Sequence, residues 1–227
     1  MKVVIFGATG MVGQGVLREC LRDADVTKVL TIGRAATGQL DPRLHELVRS
    51  DLTQYAGLDD ELSGYDACFF CLGVSSVGMK EGDYSRITYD LTLAAASVLA
   101  RLNPAMTFVY VSGSGTDSSE QGRVMWARVK GRTENALRRL PFKAVYLFRP
   151  GVIQPLHGVR SKTRLYHVFY VLLAPLLSTA RRLFPAQVQT TESLGRAMLA
   201  VARHGAPGAV LEPADLNALA QDRTASA

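Results

Sequence analysis

Apolar and polar positions alternate between two rhythms along this chain. Short continuous apolar runs occur at Lys2–Phe6, Val26–Ile32, Asp66–Leu72, Met106–Val111 and Ala144–Phe148. Between them apolar residues recur at helical spacing. Val12, Val16, Leu17, Cys20 and Leu21 share one helix face directly after the first run. Residues 44–50 read as a third strand, and 53–64 as a polar connection with a short helix at best. Asp83 is placed to cap a helix over 84–102, with Ile87, Leu91, Ala94, Ala95 and Val98 inward and Asn103-Pro104 as its stop. A further helix spans 123–140 before Pro141. A helix from Thr191 to Arg203, a strand at 209–211 and a helix over 214–220 follow. Continuous apolar runs are how strands covered on both faces read. The strand–helix alternation predicts an α/β fold, a doubly wound parallel sheet with helices on both faces and right-handed crossovers. At 227 residues the chain fits one domain, 1–227, in which 152–227 forms a small C-terminal substrate-side lobe.

The first run breaks into Gly7-Ala8-Thr9-Gly10-Met11-Val12-Gly13. Strand, tight glycine turn and helix aim backbone N–H groups and the positive end of a helix dipole at one point, which suits a pyrophosphate. Gly7 permits the turn, Gly10 lets the backbone approach phosphates, and Gly13 lets the helix pack closely. The spacing is G-x-x-G-x-x-G. Its position between a clear strand and a clear helix makes the chain Rossmann-like and a dinucleotide binder.

The end of the second strand selects between dinucleotides. An acid there accepts hydrogen bonds from a ribose 2′-OH, whereas an arginine pairs with a 2′-phosphate. Gly33-Arg34 stands at that point, so NADP is expected over NAD. Asp51, after the third strand, is placed either to reach an adenine amino group or to cap a turn. Small polar loops at 73–78 and 112–116 fall at the strand ends where open α/β sheets bind ligands.

Net charge is +6 but uneven. Residues 121–185 carry 13 Lys/Arg and 1 Asp/Glu, a block read as a solvated basic face or as a face toward an anion or an acidic surface. No nucleic-acid motif accompanies it. Cys20, Cys68 and Cys71 make no disulfide framework, and Cys68-Phe69-Phe70-Cys71 reads as strand rather than metal or redox motif. His45, His157, His167 and His204 lack metal-ligand spacing, so no metal site is expected. The first strand starts at residue 2, leaving no room for a leader, and a cytoplasmic location is expected. The apolar run 165–177 between basic flanks is short of a bilayer span; it suits a pocket, a dimer contact or a membrane interface.

Gly7-Ala8-Thr9-Gly10-Met11-Val12-Gly13, Gly33-Arg34, Cys71-Leu72-Gly73, Val111-Ser112, Val129-Lys130-Gly131 and Phe148-Arg149-Pro150-Gly151 together resemble the atypical short-chain dehydrogenases of the NAD-dependent epimerase/dehydratase-like superfamily, in particular the Tat-interacting protein-like oxidoreductases. The resemblance implies that Gly7, Thr9, Gly10, Met11 and Val12 hold the pyrophosphate. It implies Arg34 at the 2′-phosphate, Asp51 and Leu52 at the adenine, and Leu72 and Gly73 beside the nicotinamide ribose. Ser112 and Lys130 would stand at the reacting end, with Pro150, Gly151 and Val152 beside the nicotinamide.

The chain departs from that family at one position. Active members carry Tyr-x-x-x-Lys, in which the tyrosine moves the proton and the lysine binds ribose and lowers the tyrosine pKa. Here Lys130 is preceded four residues earlier by Trp126, whose indole N–H donates but does not exchange a proton at neutral pH. Three readings follow. The chain is an oxidoreductase acting on a small apolar carbonyl compound, with a displaced acid such as Ser112, Ser114, Tyr84, Tyr89 or water. Alternatively it is an NADP-binding regulator with a protein partner or a homodimer contact, or a peripheral membrane-surface protein.

Overall fold

The computed structural model describes residues 1–159 and 187–221. Its strands are β1 (Lys2–Phe6), β2 (Lys28–Gly33), β3 (Leu44–Val48), β4 (Ala67–Phe70), β5 (Thr107–Val111), β6 (Ala144–Phe148), β7 (Val152–Gln154), β8 (Val188–Thr190) and β9 (Val210–Leu211). Seven of them form one parallel sheet in the order β3-β2-β1-β4-β5-β6-β9, and β7 pairs with β8 in a second, small parallel sheet. The doubly wound expectation holds. Because every strand of the main sheet is parallel, all their C-terminal ends share one edge. The strand order reverses between β1 and β4, which opens a crevice there.

Pleating divides the apolar strands between two cores. Val3 and Ile5 of β1 pack with Phe69, Val109 and Phe148 under α1 (Met11–Arg22) and a later helix, Thr191–His204. Val4 and Phe6 face the other way, with Ile32, Phe70, Phe108 and Tyr110. Phe6, Phe70 and Phe108 stack in sequence, with ring centroids 4.9 Å and 6.0 Å apart. Cys68 and Cys71 fall in opposite cores, as strand alternation requires. Burial pushes both thiols up, away from the thiolate form that metal or redox chemistry uses.

The short connection contains α2 (Asp59–Leu62). The helix expected over 84–102 is present and continuous, starts three residues earlier, and changes period within its length. The chain forms α3 (Glu81–Ser85), a π-helical turn at Arg86–Asp90, and α4 (Leu91–Leu102). Asp83 is not the cap: Lys80 holds that position, and Asp83 pairs with Arg86 inside the segment. A wider turn rotates the helix face that follows. The buried set is therefore Tyr84, Thr88, Thr92, Ala95, Ala96, Leu99 and Ala100; of the expected inward residues Ala95 is buried, while Ile87, Leu91, Ala94 and Val98 are only partly covered. The next helix, α5 (Met125–Leu137), is shorter at both ends than expected.

The last described elements complete the layer around α1. They are α6 (Thr191–His204) and α7 (Pro213–Gln221), with β9 extending the main sheet beside β6. Helix α6 opens with a capping box in which Thr190 and Ser193 satisfy each other's backbone N–H. It lies so close to α1 that a Cβ on Gly15 would stand 2.5 Å from the Thr191 carbonyl oxygen. Across the same seam the guanidinium of Arg203 pairs with buried Asp23 at 2.6 Å. The apolar run 165–177, and His167 within it, lie outside the described residues.

Gly15→Ala gains about 1 kcal/mol of helix propensity but inserts a methyl group where two backbones meet, an overpacking that costs about 1–3 kcal/mol. A net loss of stability is expected in urea denaturation. An unchanged or raised midpoint would show that the α1–α6 contact yields freely.

Candidate functional site

The turn after β1 is built from glycines that cannot be replaced without moving backbone. Gly7 has φ +76°, and a Cβ there would stand 2.7 Å from the Leu72 nitrogen at the end of β4. A Cβ on Gly13 would stand 2.1 Å from the Gly7 carbonyl oxygen. That oxygen accepts the Gly10 N–H at 2.9 Å and closes the turn. Gly10 is the N-cap of α1, with no side-chain cap and no acid in the first turn. The first-turn N–H groups of a helix have no intrahelical acceptor. The result is an uncapped, positively polarised helix end beside the crevice. It fits a pyrophosphate by its bare donors, its glycine surface and the absence of a competing carboxylate.

The other sequence-predicted residues gather on the same sheet edge. Arg34 follows β2, is exposed, and makes no ion pair among the described residues. Glu46, on neighbouring β3, is already engaged: it accepts the Thr37 N–H at 2.8 Å and the Thr37 hydroxyl. A shallow hollow bordered by Ala8, Thr9, Gly33, Ala35 and Val48 lies among the ends of β1, β2 and β3. A larger groove of about 770 Å³ runs along α1 instead, past Gln14, Arg18, Thr37 and His157. Asp51 sits in an Asx turn, taking the Thr53 hydroxyl at 2.7 Å and its N–H at 2.8 Å. Those bonds hold its carboxyl below the usual range. The Leu52 side chain is buried in the core, so only its backbone is available to a ligand. Leu72 and Gly73 follow β4, Pro150 and Gly151 follow β6, and Val152 begins β7. Gly151 donates its N–H to the Gln189 side chain at 2.9 Å, tying this edge to β8.

Lys130 and Ser112 come together at the end of β5, but not as a free pair. The Lys130 ammonium donates to the Ser112 carbonyl at 2.6 Å and the Val111 carbonyl at 3.3 Å. Gly131 makes this approach possible, because a Cβ there would stand 1.7 Å from the Asp117 carbonyl oxygen of the loop crossing the helix. Burial lowers the Lys130 pKa to about 8, opposed by the Glu134 charge. The Ser112 hydroxyl, instead of facing the crevice unattached, donates to Glu134 Oε1 at 2.6 Å. Glu134 is 1% exposed and held by Arg149, whose Nε and Nη2 reach its two oxygens at 3.1 and 2.5 Å. Arg149 also donates to the Ser118 hydroxyl at 2.6 Å and to Glu212 at 3.3 Å.

Glu134 and Arg149 were not singled out as a pair by the sequence reading. The available signal was that Glu134 is the lone acid of the basic block and lies one helical turn beyond Lys130. Of the tyrosines named as substitute acids, Tyr84 is not free at this edge. Tyr84 is buried in the core with its pKa raised by that burial, and the Tyr89 ring lies 4.0 Å beneath the Arg132 guanidinium. His157 is exposed and pairs with Glu192 of α6 at 2.6 Å.

Comparison with known proteins places this geometry. The model of the NAD dependent epimerase/dehydratase family matches residues 3–123. The mitochondrial protein fmp52-2 of Aspergillus oryzae is 29% identical over 96% of this chain and 96% of its own length. Protein HTATIP2 of Rattus norvegicus is 29% identical over 66% of this chain and 65% of its own. Among solved structures, the Bordetella bronchiseptica enzyme WbmF in complex with NAD+ superposes with a TM-score of 0.66 at 16% identity, covering 99% of this chain and 78% of that one. The dTDP-glucose 4,6-dehydratase DesIV of Streptomyces venezuelae, with NAD and TYD bound, gives 0.67 at 16% identity, covering 100% and 82%. These two share the Rossmann-like fold. The cytoplasmic expectation is overturned, because the FMP52 relatives are named as mitochondrial proteins. Among the described residues no helix is long and apolar enough to cross a membrane. With more than half of its length matched, in the region that builds the glycine turn and the strand edge, the chain belongs to the NAD dependent epimerase/dehydratase family.

Proposed function

We propose that this chain is an NADP(H)-dependent oxidoreductase that acts on a small apolar carbonyl compound with a proton donor other than tyrosine. The observation that carries this reading is the uncapped glycine-built end of α1 standing on the same sheet edge as Lys130. Gly7, Thr9, Gly10, Met11 and Val12 would hold the pyrophosphate through backbone donors and the helix dipole. Asp51 and the Leu52 backbone would meet the adenine. Leu72 and Gly73 would flank the nicotinamide ribose, Ser112 and Lys130 would stand at the reacting end, and Pro150, Gly151 and Val152 would bound the ring. A bound nicotinamide supplies hydride chemistry at that edge.

Preference for the 2′-phosphate rests on charge. Arg34 is exposed and unpaired among the described residues, and Glu46, the neighbouring carboxylate, is occupied by Thr37. The apolar substrate rests on the distribution of exposed hydrophobic side chains. Leu40, Val48, Val74, Val77, Val124 and Val152 all belong to segments at or beyond the C-terminal ends of strands, or to the approach to α5. Val74 and Val77, exposed in the loop that follows β4, support an apolar compound at that edge.

A second reading, a dinucleotide-binding regulator without turnover, is favoured by Trp126 in place of the tyrosine and by the engaged Ser112 hydroxyl. Its mark is NADPH binding with no carbonyl reduced.

Calorimetric titration is expected to give tighter binding of NADPH than of NADH, with Arg34→Ala removing the preference by weakening NADPH alone. Equal affinities in the wild-type protein would contradict the role given to Arg34. Glu134→Ala leaves Arg149, 11% exposed at its side chain, with only Glu212 as counter-charge. Breaking a buried pair from one side costs about 3–5 kcal/mol. Chemical denaturation is expected to show a loss at the lower end of that range, and a midpoint equal to wild type would show that the pair is dispensable.

A further inference from the structure

We propose that Lys130 itself is the proton donor and acceptor of this site, in place of the tyrosine that Trp126 displaces. This deepens the oxidoreductase reading and rests on it. Four side chains near the site are unavailable for the proton transfer. Trp126 packs against the 113–115 loop, where a Cβ on Gly113 or Gly115 would stand 4.0 or 3.8 Å from its ring, and an indole N–H does not exchange at neutral pH. A serine hydroxyl has one proton to donate, and Ser112 gives it to Glu134. Tyr84 and Tyr110 are buried phenols whose pKa values burial raises.

Lys130 has what they lack. An ammonium has three N–H donors, and the Ser112 and Val111 carbonyls take two. The third has no acceptor among the described residues. Those two bonds hold the nitrogen at the C-terminal end of β5, on the ligand edge, rather than letting it swing into solvent. No carboxylate pairs with it among the described residues. Glu134, the acid one turn along α5, is occupied by Arg149 from the end of β6. From β5 the Tyr110 ring faces the ammonium at 5.8 Å, and behind it stands Tyr84 of α3. Partial burial without a counter-ion favours the neutral amine, so Lys130 titrates near 8 rather than at the ordinary value of about 10.4. An amine in that range both gives and recovers a proton near neutral pH.

The step balances. The carbonyl carbon gains a hydride, carrying two electrons, from a reduced nicotinamide dinucleotide, and the C=O π bond breaks. The oxygen takes a proton from Lys130 Nζ. The neutral amine left behind recovers its proton from water, and the oxidised dinucleotide leaves.

The test reads Lys130 directly and then through turnover. Competitive acetylation of the full chain from pH 6 to 11, read on the Lys130 peptide by mass spectrometry, is expected to give a midpoint near 8. Reduction of 9,10-phenanthrenequinone by NADPH is expected to decline as pH rises through the same midpoint, because the donating form is the ammonium. Lys130→Arg keeps the cation and its donors but holds its proton. It is expected to bind NADPH within about threefold of wild type, to lose roughly 10²–10⁴-fold in turnover, and to lose that pH limb. A Lys130 midpoint above 10, or an arginine variant with wild-type turnover, overturns the proposal alone, whereas wild-type protein that binds NADPH and leaves the quinone unreduced counts against the oxidoreductase reading as well. Failure to bind NADPH at all overturns the oxidoreductase reading and this proposal with it.

Discussion

The close approach of the β1–α1 turn to the end of β4 is the constraint on which the rest of the structure depends. Gly7 turns with φ +76°, and the Leu72 nitrogen occupies the space where its Cβ would point. Only glycine satisfies both conditions at once. That contact brings the uncapped end of α1 to the reversal in strand order. It fixes where a dinucleotide can lie relative to the β4 and β5 ends. Gly13 repeats the device one turn into α1, against the Gly7 carbonyl, so the helix cannot slide along the sheet.

A second set of constraints shapes the other end of the crevice. Gly131 lets the loop after β5 cross α5, which brings the Ser112 and Val111 carbonyls within reach of Lys130. The Glu134–Arg149 pair then takes up the Ser112 hydroxyl. Desolvating a carboxylate and a guanidinium is costly, and a bidentate pair offsets that cost best when further hydrogen bonds satisfy the remaining atoms, as Ser112 and Ser118 do. The consequence is chemical as well as structural. Glu134 is neutralised by Arg149 instead of by Lys130, and the lysine is left cationic, partly buried and without a counter-ion.

Much of this was legible in the sequence because it is local. The glycine turn, the strand ends and the i, i+4 relation of Trp126 and Lys130 depend on short spacings, and all were read from them. What was missed depends on contacts between distant segments or on a change of helical period. The π-helical turn at Arg86–Asp90 leaves no mark in an apolar pattern read at a single period, so the buried face was assigned to Ile87 and Leu91 instead of Thr88 and Thr92. Glu134 and Arg149 meet only because α5 packs beside β6. The turn at Asp51 was one of two roles its residue type allowed, and the burial of Leu52 could not be told from residue type, since a leucine serves a strand end or a core equally well.

Hydrogen exchange on the wild-type protein, with and without saturating NADPH, tests most directly the claim that the α1 end and the Lys130 edge form one dinucleotide site. The account expects slowed exchange in peptides covering 7–13, 71–74 and 111–114 together, with the β6 core unchanged. Protection confined to the groove beside α1, or no protection at 7–13 while NADPH is bound, would contradict it.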